Sequence, residues 1–513
     1  MRRGLGNTAL LFALAASAAC GTGGSSGSGK AGSTIAPATS TTPTAPVASS
    51  TTTSPVTPPA PPTPRAGTWL KGDFHVHSNH SGDATWGDDI TGVIRAAETN
   101  GLDFISISDH RQATCLTDPQ FTNATTKLVL IPGEEWGGPG HAGAHGLTRD
   151  PIYHEQDTSQ GPGPCVKKIQ QAIDDVTAMG GVFVINHPID AKNPWFWPVE
   201  RFQGMEVWNQ QWALGAAADS TPADLASWAA AKGLDVPGAP ATPPEAHQAL
   251  TATGGGQNWQ RLKFYEAYLS SGHHISAIGG GDTHYLFLPG WPTTVVFAET
   301  NTKAGVLEGV RKGRTIVQRA PDAPPLEFTA DPGNTGNFHA MIGDSIKIGQ
   351  PVTFKVRVKD NQGGKVQLVK NGTIVQDWPV TSTDFTVTYT DTPTGKSWYR
   401  VNMLEPLDTT LPNTKLLKDL ILGVQSAPWL QQIIGLGILG SLGQKITTAL
   451  NSGVPTLAWL LIYGQQAGVR VSAQGSTNYP RLEIPPAVSR WMNMAVHDDA
   501  YAMGAVTSPI WVE

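Results

Sequence analysis

The sequence predicts an α/β fold with a largely parallel sheet, open or closed, followed by an antiparallel β-sandwich. Between residues 69 and about 320, short β-type runs alternate with segments of helical apolar spacing. From 320 to about 404, strands of alternating polarity follow one another through turns that contain Gly, Asn and Asp. The length of 513 residues also exceeds what one ordinary core supports, so more than one domain is expected.

The first 66 residues resemble a targeting segment followed by a spacer. Arg2 and Arg3 precede an apolar stretch and small residues that end at Cys20, which predicts a signal peptide over residues 1–20. Its end resembles a bacterial lipoprotein signal, which implies a lipid on Cys20 and a membrane-anchored protein of the cell envelope. Ordinary secretion is the alternative. Residues 21–66 are rich in Gly, Ser, Thr and Pro, which predicts a disordered linker.

Residues 67–320 are expected to form the α/β domain, with strands and helices in alternation. Two segments have apolar residues at helical spacing, "DDITGVIRAAETNG" and "VKKIQQAIDDVTAMGG". The short apolar runs that indicate strands are "TWLKGDFHVH", "LDFISIS", "KLVLIPG", "GGVFVINHP", "GMEVWN" and the start of "SAIGGGDTH".

Residues 321–513 are expected to form the β-sandwich, interrupted by an apolar helical insert over about 405–495. The strand signals are "QPVTFKVRVKD", "GKVQLVKNG", "FTVTYTD" and "KSWYRVNML", and the final "AYAMGAVTSPIWVE" could complete the sandwich. Residues 421–444 carry no charged side chain, so a membrane span is the alternative to a buried or interfacial insert.

Composition excludes some partners. Charged residues make up 15% of the chain and the formal net charge is −6, with no basic stripe for nucleic acid. Besides Cys20, only Cys115 and Cys165 are present; they could pair, but they form neither a disulfide framework nor a metal motif.

Histidines and carboxylates gather at the ends of successive strands. His75 and His77 point to the same face of their strand, because side chains alternate along it. Chemistry in closed α/β barrels lies where the carboxyl ends of the strands converge. The pattern predicts a metal site, against the alternative of ordinary surface histidines. The later runs end in Asp109 and His110, in Glu134 and Glu135 before His141 and His145, in His187, and in Asp282 and His284.

In this order, "DFHVHSNHSGD", "SDH", "PGEE", "NHP" and "GGGDTH" resemble the motifs of the PHP (polymerase and histidinol phosphatase) metallohydrolases. The segments "GHAGAHG", "FYEAYLSSGHHISAIGGGDTH" and "VLEGVRKGRTIV" resemble the carbaryl-hydrolase-like branch of that family. The resemblance covers residues 67–320 and implies a distorted (β/α)7 barrel with two or three divalent ions.

The resemblance also implies a ligand set. His75, His77 and Asp282 would hold one ion, and Glu135 would bridge it to a second ion bound by His141 and His187. A third ion would use Asp83, His110 and His284, although some members of the family have a histidine where this chain has Asp83. His141 matches its motif better than His145, which stays the alternative ligand.

The reaction expected of this site is metal-assisted hydrolysis by a hydroxide that bridges two ions, with Glu135, Asp282 and Arg111 as catalytic groups. His, Asp and Glu ligands without cysteine suit Zn²⁺, Mn²⁺ or Fe²⁺. A small-molecule phosphate ester is the expected substrate, with Arg111 and Arg314 as candidate phosphate ligands.

Two alternative functions stay open at this point. The first is hydrolysis of a carbamate or carboxyl ester, for which Trp195, Phe196 and Trp197 could line a pocket, or else pack in the core. The second is a non-catalytic binding module on the cell surface. A serine hydrolase is a poor rival, because residues 67–320 contain no G-x-S-x-G motif.

Overall fold

The computed structural model describes residues 65–84, 89–138, 140–155, 162–190, 195, 197, 199–210, 257–283, 289–408, 470–472, 481–483 and 500–513. The predicted signal peptide with Cys20, nearly all of the linker and of the apolar insert, and His284 lie outside these residues. Within the ranges given, no helix is both long and apolar enough to cross a membrane.

In its described residues, the α/β region has nine strands and five helices. The strands are β1 (Thr68–Val76), β2 (Phe104–Ile107), β3 (Val129–Trp136), β4 (Ala142–His145), β5 (Val182–Ile185), β6 (Gly204–Asn209), β7 (Ser276–Gly280), β8 (Thr293–Ala298) and β9 (Thr315–Gln318). The helices are α1 (Ile90–Thr99), α2 (Pro119–Thr122), α3 (Pro162–Ala178), α4 (Gln257–Ser270) and α5 (Lys303–Arg311), with a short 3-10 helix at Thr114–Leu116.

Local sequence explains the first helix well. The Asp89 side chain caps α1 by accepting a hydrogen bond from the backbone N–H of Gly92 at 2.8 Å. Ile90, Val93 and Ala97 lie on its buried face, at the spacing of an amphipathic helix. Cys115, in the 3-10 helix that follows β2, is a buried free thiol rather than half of a disulfide.

The strands pair in the order β9-β8-β1-β2-β3-β4-β5-β6-β7. β1 with β2, β2 with β3, β5 with β6 and β6 with β7 are parallel, as the sequence predicts. β4, however, is antiparallel to both β3 and β5, and β8 is antiparallel to β1 and β9. The expectation of a largely parallel sheet is therefore only half right. β4 escapes sequence analysis because its Ala and Gly residues lack the β-branched signature of a strand.

The ring of strands is not closed by backbone pairing. In the described part of the chain, no ladder joins β7 to β8 or β9. Side-chain hydroxyls bridge the gap instead: the Thr294 hydroxyl accepts from the N–H of Gly279 and donates to its carbonyl, both at 2.8 Å. The Thr315 hydroxyl donates to the carbonyl of Ala277 at 2.8 Å. The closed (β/α)7 barrel is thus not confirmed, since hydroxyl bridges replace its last ladder.

In its described residues, the C-terminal region has twelve further strands. They are β10 (Leu326–Pro332), β11 (Ala340–Met341), β12 (Ser345–Ile346), β13 (Val352–Lys359), β14 (Lys365–Lys370), β15 (Thr373–Pro379), β16 (Asp384–Asp391), β17 (Ser397–Pro406), β18 (Arg470–Ser472), β19 (Arg481–Glu483), β20 (Tyr501–Thr507) and β21 (Ile510–Val512). Four of them form a separate antiparallel sheet in the order β11-β10-β13-β16. The larger sheet contains β12, β14, β15, β17, β20 and β21, and β18 pairs with β19.

One hydrophobic cluster contains side chains from both sheets, among them Phe328 and Phe354 of the smaller sheet and Tyr399 of the larger. The rings of Phe354 and Tyr399 stack with centroids 4.2 Å apart. The strands over 321–404 pair in antiparallel ladders, as the sequence predicts, and the last residues of the chain pair with β17. The β-sandwich itself stays a prediction.

The boundary expected near residue 320 is crossed by paired strands. β20 pairs with β9, so the strands of the α/β region and those of the C-terminal region form one continuous sheet of 15 strands. A buried ion pair also joins the regions, with Nε of Arg400 on β17 lying 3.0 Å from Oε1 of Glu266 on α4. The division into residues 67–320 and 321–513 stays a prediction.

Candidate metal centre

The site begins at the end of β1, where His75 and His77 are almost fully buried. Their Nε2 atoms lie 3.1 Å apart and face one another. The loop after β7 comes to the same point, because the backbone N–H of Asp282 donates to the carbonyl of His75 at 2.7 Å. Alternation along β1 thus brings both imidazoles to one side, as the sequence predicts.

Glu135, near the end of β3, is the centre of the cluster. Its buried carboxylate lies within 3.5 Å of ring nitrogens from five histidines, and these come from four separate segments of the chain. The distances to the nearer carboxylate oxygen are 3.0 Å for His75, 3.5 Å for His77, 2.8 Å for His110, 3.3 Å for His141 and 3.2 Å for His187.

Asp282 is the second carboxylate of the cluster. Its Oδ1 lies 3.4 Å from Nε2 of His75 and 3.2 Å from Nε2 of His77. Asp282 and His187 have φ angles of 50° and 24°, and Arg111 one of 51°. Positive φ is costly for residues other than glycine, and such strain concentrates at functional sites. Three strand-end residues of this site are held in that conformation.

Hydrogen bonds determine which nitrogen of His77 faces the cluster. The Ser81 hydroxyl donates to the Asp109 carboxylate at 2.7 Å, so it accepts from Nδ1–H of His77 at 2.9 Å. The Nε2 lone pair of His77 therefore points at the other ligands. Asp109 also accepts from the N–H and the hydroxyl of Ser78. Asp109 thus positions a neighbour rather than joining the cluster.

Glu206 on β6 plays the same part for His75, and sequence reasoning missed it. Its Oε1 accepts from Nδ1 of His75 at 2.9 Å, which turns the Nε2 lone pair of His75 toward His77 and Glu135. Glu206 is a single carboxylate in the mostly apolar run "GMEVWN", and no residue spacing marks it as part of a site. The one signal in the sequence is its presence in a strand expected to be buried, where a carboxylate needs hydrogen-bond partners.

The outer edge of the cluster is more exposed. Nε2 of His110 lies 3.2 Å from Oδ2 of Asp83, whose side chain is 60% exposed. The Arg111 side chain is 57% exposed and pairs with Glu155 at 2.8 Å. A Cβ at Gly137 would lie 3.4 Å from both Arg111 and His141, so Arg111 stands beside the cluster. His284, expected with His110 and Asp83, lies outside the described residues.

Several other candidates lie elsewhere. Nδ1 of His145 bonds to the Ser106 hydroxyl at 2.9 Å, and its ring packs on Phe74 in the interior. Glu134 points away from the cluster and pairs with His154 at 2.7 Å. Arg314, proposed for phosphate, pairs instead with Glu299 at 3.0 Å. None of these three candidates joins the cluster.

The aromatic run after β5 is also accounted for. Trp195 and Trp197 are buried in the hydrophobic core, where Trp195 packs edge-on against Phe183. Of the two interpretations of this run, core packing is therefore confirmed for the two tryptophans. Phe196 lies outside the described residues.

The electrostatics favour positive charge within the cluster. Burial alone lowers the pKa of His75, but the carboxylates of Asp282, Glu135 and Glu206 raise it well above its ordinary value. Likewise, Glu135 and Asp83 overcome burial and raise the pKa of His110 to about 9. Burial raises the pKa of Glu135, yet the surrounding histidines bring it well below the ordinary value. The carboxylates thus stabilise cations where the imidazoles meet.

The donor set fits divalent metal ions. Glu206 and Ser81 engage Nδ1 of His75 and of His77, so their Nε2 atoms, 3.1 Å apart, are the atoms that can share a cation. Among the residues that the structure describes, three groups have ligand atoms within 4.8 Å of one another. One group joins His187 to His75 and Asp282, whereas the expected set places His187 with His141; the expected set stays a prediction. The groups are His75, His77 and Glu135; His75, His187 and Asp282; and His110, Glu135 and His141.

Comparison with known proteins adds little to this geometry. No protein-family model matches the chain, and no curated protein matches it. The chain is similar to a solved two-domain protein from Bacteroides vulgatus that contains a predicted PHP-like metal-dependent phosphoesterase, at 19% identity and a TM-score of 0.32, over 66% of this chain and 92% of that one. It is also similar to the CARDB domain of a Pyrococcus furiosus protein, at 20% identity and a TM-score of 0.11, over 16% of this chain and 73% of that one.

Proposed function

We propose that the protein is a metal-dependent hydrolase of small-molecule esters. The observation that carries this proposal is the contact of one buried carboxylate, Glu135, with ring nitrogens of five histidines. Neutral imidazoles and carboxylates are ligands of Zn²⁺, Mn²⁺ and Fe²⁺, and a carboxylate at the centre suits a site for more than one ion. When bound, such ions supply a Lewis acid and water of lowered pKa.

The proposed ligands are those of the cluster. His75, His77, His187 and Asp282 hold one position against Glu135. His141 and His110 hold a second position against the same carboxylate. Asp83 and His110 form the outer edge, where a further ion would be exposed to solvent. His284 is proposed as a ligand of that ion on the sequence alone. His145 is not proposed, because its ring is engaged with Ser106 and packs on Phe74 in the interior.

The side chains around the ligands orient the site and hold charge. Ser81 and Glu206 keep the Nε2 lone pairs of His77 and His75 directed at the cluster. Burial of Glu135 and Asp282 limits the water that competes for these ligands. Arg111, exposed beside His141, is the group that would contact an anionic substrate.

A phosphate ester is the proposed substrate class. The exposed guanidinium of Arg111 at the edge of the cluster favours an anionic group, which it can bind with two parallel hydrogen bonds. A carbamate or carboxyl ester is the second candidate, but Trp195 and Trp197, whose side chains favoured it, pack in the hydrophobic core. On the amino-terminal sequence alone, we also propose that a lipid on Cys20 anchors the enzyme in the cell envelope.

The test combines metal analysis with a substrate screen. The purified protein is assayed for bound metal by mass spectrometry and for hydrolysis of p-nitrophenyl phosphate, a phosphodiester and aryl carboxyl esters. We expect at least one equivalent of metal and turnover of a phosphate ester that a chelator abolishes. His77→Ala should lose this activity, whereas His339→Ala, at an exposed histidine of the C-terminal region, should retain it. Metal-free protein, or metal without turnover of any ester, would contradict the proposal and favour a binding module.

A further inference from the structure

We propose that Glu206 is a positioning residue that holds His75, His187 and Asp282 in the arrangement needed to bind one ion. The inference rests on the proposed function, since it concerns a metal site, and it assigns a role to a buried carboxylate on β6. These three side chains form one of the groups whose ligand atoms lie within 4.8 Å of one another.

Glu206 contacts two of the three residues directly. Its Oε1 accepts from Nδ1–H of His75 at 2.9 Å, and its Oε2 accepts from the backbone N–H of His187 at 2.8 Å. An ionised carboxylate can only accept, so both donors have a fixed orientation. One hydrogen bond selects the tautomer of His75. The other anchors the strained backbone of His187, whose φ is 24°.

Asn209 connects the same carboxylate to Asp282. Its amide Nδ2 donates to Oε2 of Glu206 at 2.9 Å and to Oδ2 of Asp282 at 3.2 Å. Both partners are carboxylate oxygens, which fixes the amide orientation. The carboxylate of Glu206 therefore reaches His75 and His187 directly, and Asp282 through one amide.

Helix α4 and the end of β7 hold this arrangement in place. The Oδ1 of Asn258 accepts from the backbone N–H of Asn209 at 3.0 Å and from Nη1 of the buried Arg261 at 2.7 Å. At Gly280, a Cβ would lie only 2.0 Å from Oε1 of Glu206. The glycine thus leaves the space that the carboxylate occupies beside His75, which links the "GGGD" motif to Glu206.

Substitution by glutamine tests the role without changing the size of the side chain. A glutamine has one acceptor oxygen and one NH₂ group, so in either orientation the NH₂ faces a donor: His75 on one side, or His187 and Asn209 on the other. Glu206→Gln should therefore break either the hydrogen bond from His75 or those from His187 and Asn209. Outer hydrogen-bond partners of metal ligands typically contribute about 10- to 100-fold to metal affinity.

The experiment is a titration of the metal-free full chain with Co²⁺, followed by its visible absorption. In Glu206→Gln we expect the affinity for one ion to fall about 10- to 100-fold, while the ion bound by His110, Glu135 and His141 keeps its affinity. The matched control is Glu134→Gln, a buried carboxylate on β3 that pairs with His154 outside the cluster, and it should bind as the wild type does.

A second variant keeps the inference testable if Glu206→Gln does not fold. Asn209→Ser retains the carboxylate but removes its link to Asp282, and should weaken the same ion by a smaller factor with an altered Co²⁺ spectrum. Equal Co²⁺ affinity in Glu206→Gln and wild type would overturn the inference and leave the proposed function intact. The inference would also be overturned if Glu206→Gln weakened the affinity for both ions equally and lowered the melting temperature of the metal-free protein, because that result indicates general destabilisation. Failure of the wild type to bind Co²⁺ would overturn the proposed function itself.

Discussion

Glu134 and Glu135 are adjacent residues of the same type with opposite surroundings. Glu135 faces five imidazoles, and the charges of His75, His141 and His110 hold its pKa well below the ordinary value despite burial. Glu134 points to the other face of β3, where burial raises its pKa to about 7 although His154 pairs with it. Side-chain alternation along one strand therefore separates the carboxylate at the centre of the cluster from one that pairs with a single histidine.

Asp109 is expected to stabilise the loop that carries Ser81. It is fully buried and accepts hydrogen bonds from the N–H and hydroxyl of Ser78 and from the hydroxyls of Ser81 and Thr114. In Asp109→Asn the amide NH₂ would face some of these donors, so the free energy of unfolding should fall by about 1–3 kcal/mol.

This change is measured by urea denaturation of the metal-free protein. Asp377→Asn is the control, because that side chain is 43% exposed and lies 3.8 Å from its nearest partner, Lys365. Surface pairs of this kind contribute little. An Asp109→Asn variant with the unfolding midpoint of the wild type would show that the buried donors find other acceptors.

Most residues of the cluster could be predicted at the residue scale, but the side chains that orient them could not. His75 and His77 stand on one face of a strand, and Glu135, His187 and Asp282 follow or end apolar runs, so their spacing is visible locally. Glu206 and Asn209 act through contacts with residues far along the chain. Nothing in the six residues of "GMEVWN" indicates which strand end lies beside them.

At the scale of elements, hydroxyl groups replace a missing ladder beside β7. Thr294 is fully buried and satisfies both the N–H and the carbonyl of Gly279. A strand edge without such partners would leave buried polar groups unpaired, which is costly. The threonine therefore acts as a substitute for the neighbouring strand.

Thr294→Val should destabilise the protein although it preserves the shape of the side chain. Losing the hydroxyl leaves a buried N–H and a buried carbonyl without their partner, each at a cost of about 1–3 kcal/mol. We expect a loss in this range or somewhat above it, measured by thermal or urea unfolding. Thr388→Val, on the exposed side of β16, should change stability little. An unchanged unfolding midpoint for Thr294→Val would argue against the bridging role.

Strand patterns predicted β1, β2, β3, β5, β6 and β7 from local runs, but not how the sheet ends. β4 consists of small residues, so its sequence resembles a loop. The contacts of Thr294 and Thr315 with β7 depend on two hydroxyl groups, and a threonine in a strand does not indicate by itself that its hydroxyl bonds to another strand. Closure of a sheet is a property of distant strands, and local periodicity does not encode it.

At the scale of the whole molecule, Asp391 joins the two C-terminal sheets. It ends β16 of the smaller sheet, and its Oδ2 accepts from Lys370 on β14 at 2.7 Å and from the Tyr399 hydroxyl on β17 at 2.6 Å. Burial raises the pKa of Asp391, but these hydrogen bonds outweigh it and lower the pKa below its ordinary value of 3.8. The carboxylate is therefore more stable in the folded protein than in the unfolded chain.

The pH dependence follows from the sign of this shift. A folded-state pKa below the unfolded value contributes stability that is complete above the unfolded pKa and is lost as the pH falls through the folded pKa. Asp391→Asn should be less stable than wild type by a constant amount from about pH 7 to about pH 5, and the difference should shrink below about pH 4. Urea unfolding across this range measures it. A difference that stays constant to about pH 3 would contradict the assignment.

The pairing of β20 with β9 is the feature of the whole molecule that sequence analysis did not foresee. The final residues were expected to complete a separate sandwich, and they do pair with β17. They also extend the sheet of the α/β region across almost 190 residues of sequence, from Gln318 to Ala505. Such pairing has no local signature, because a strand carries the same alternating pattern whichever neighbour it pairs with.

The central claim is that Glu135 and the histidines around it bind metal. The most direct measurement is anomalous X-ray scattering at the zinc edge from crystals of the zinc-loaded protein. We predict a peak within about 2.3 Å of both a carboxylate oxygen of Glu135 and Nε2 of His75. Ordered histidines with no peak at that distance, or zinc bound only elsewhere on the chain, would contradict the claim.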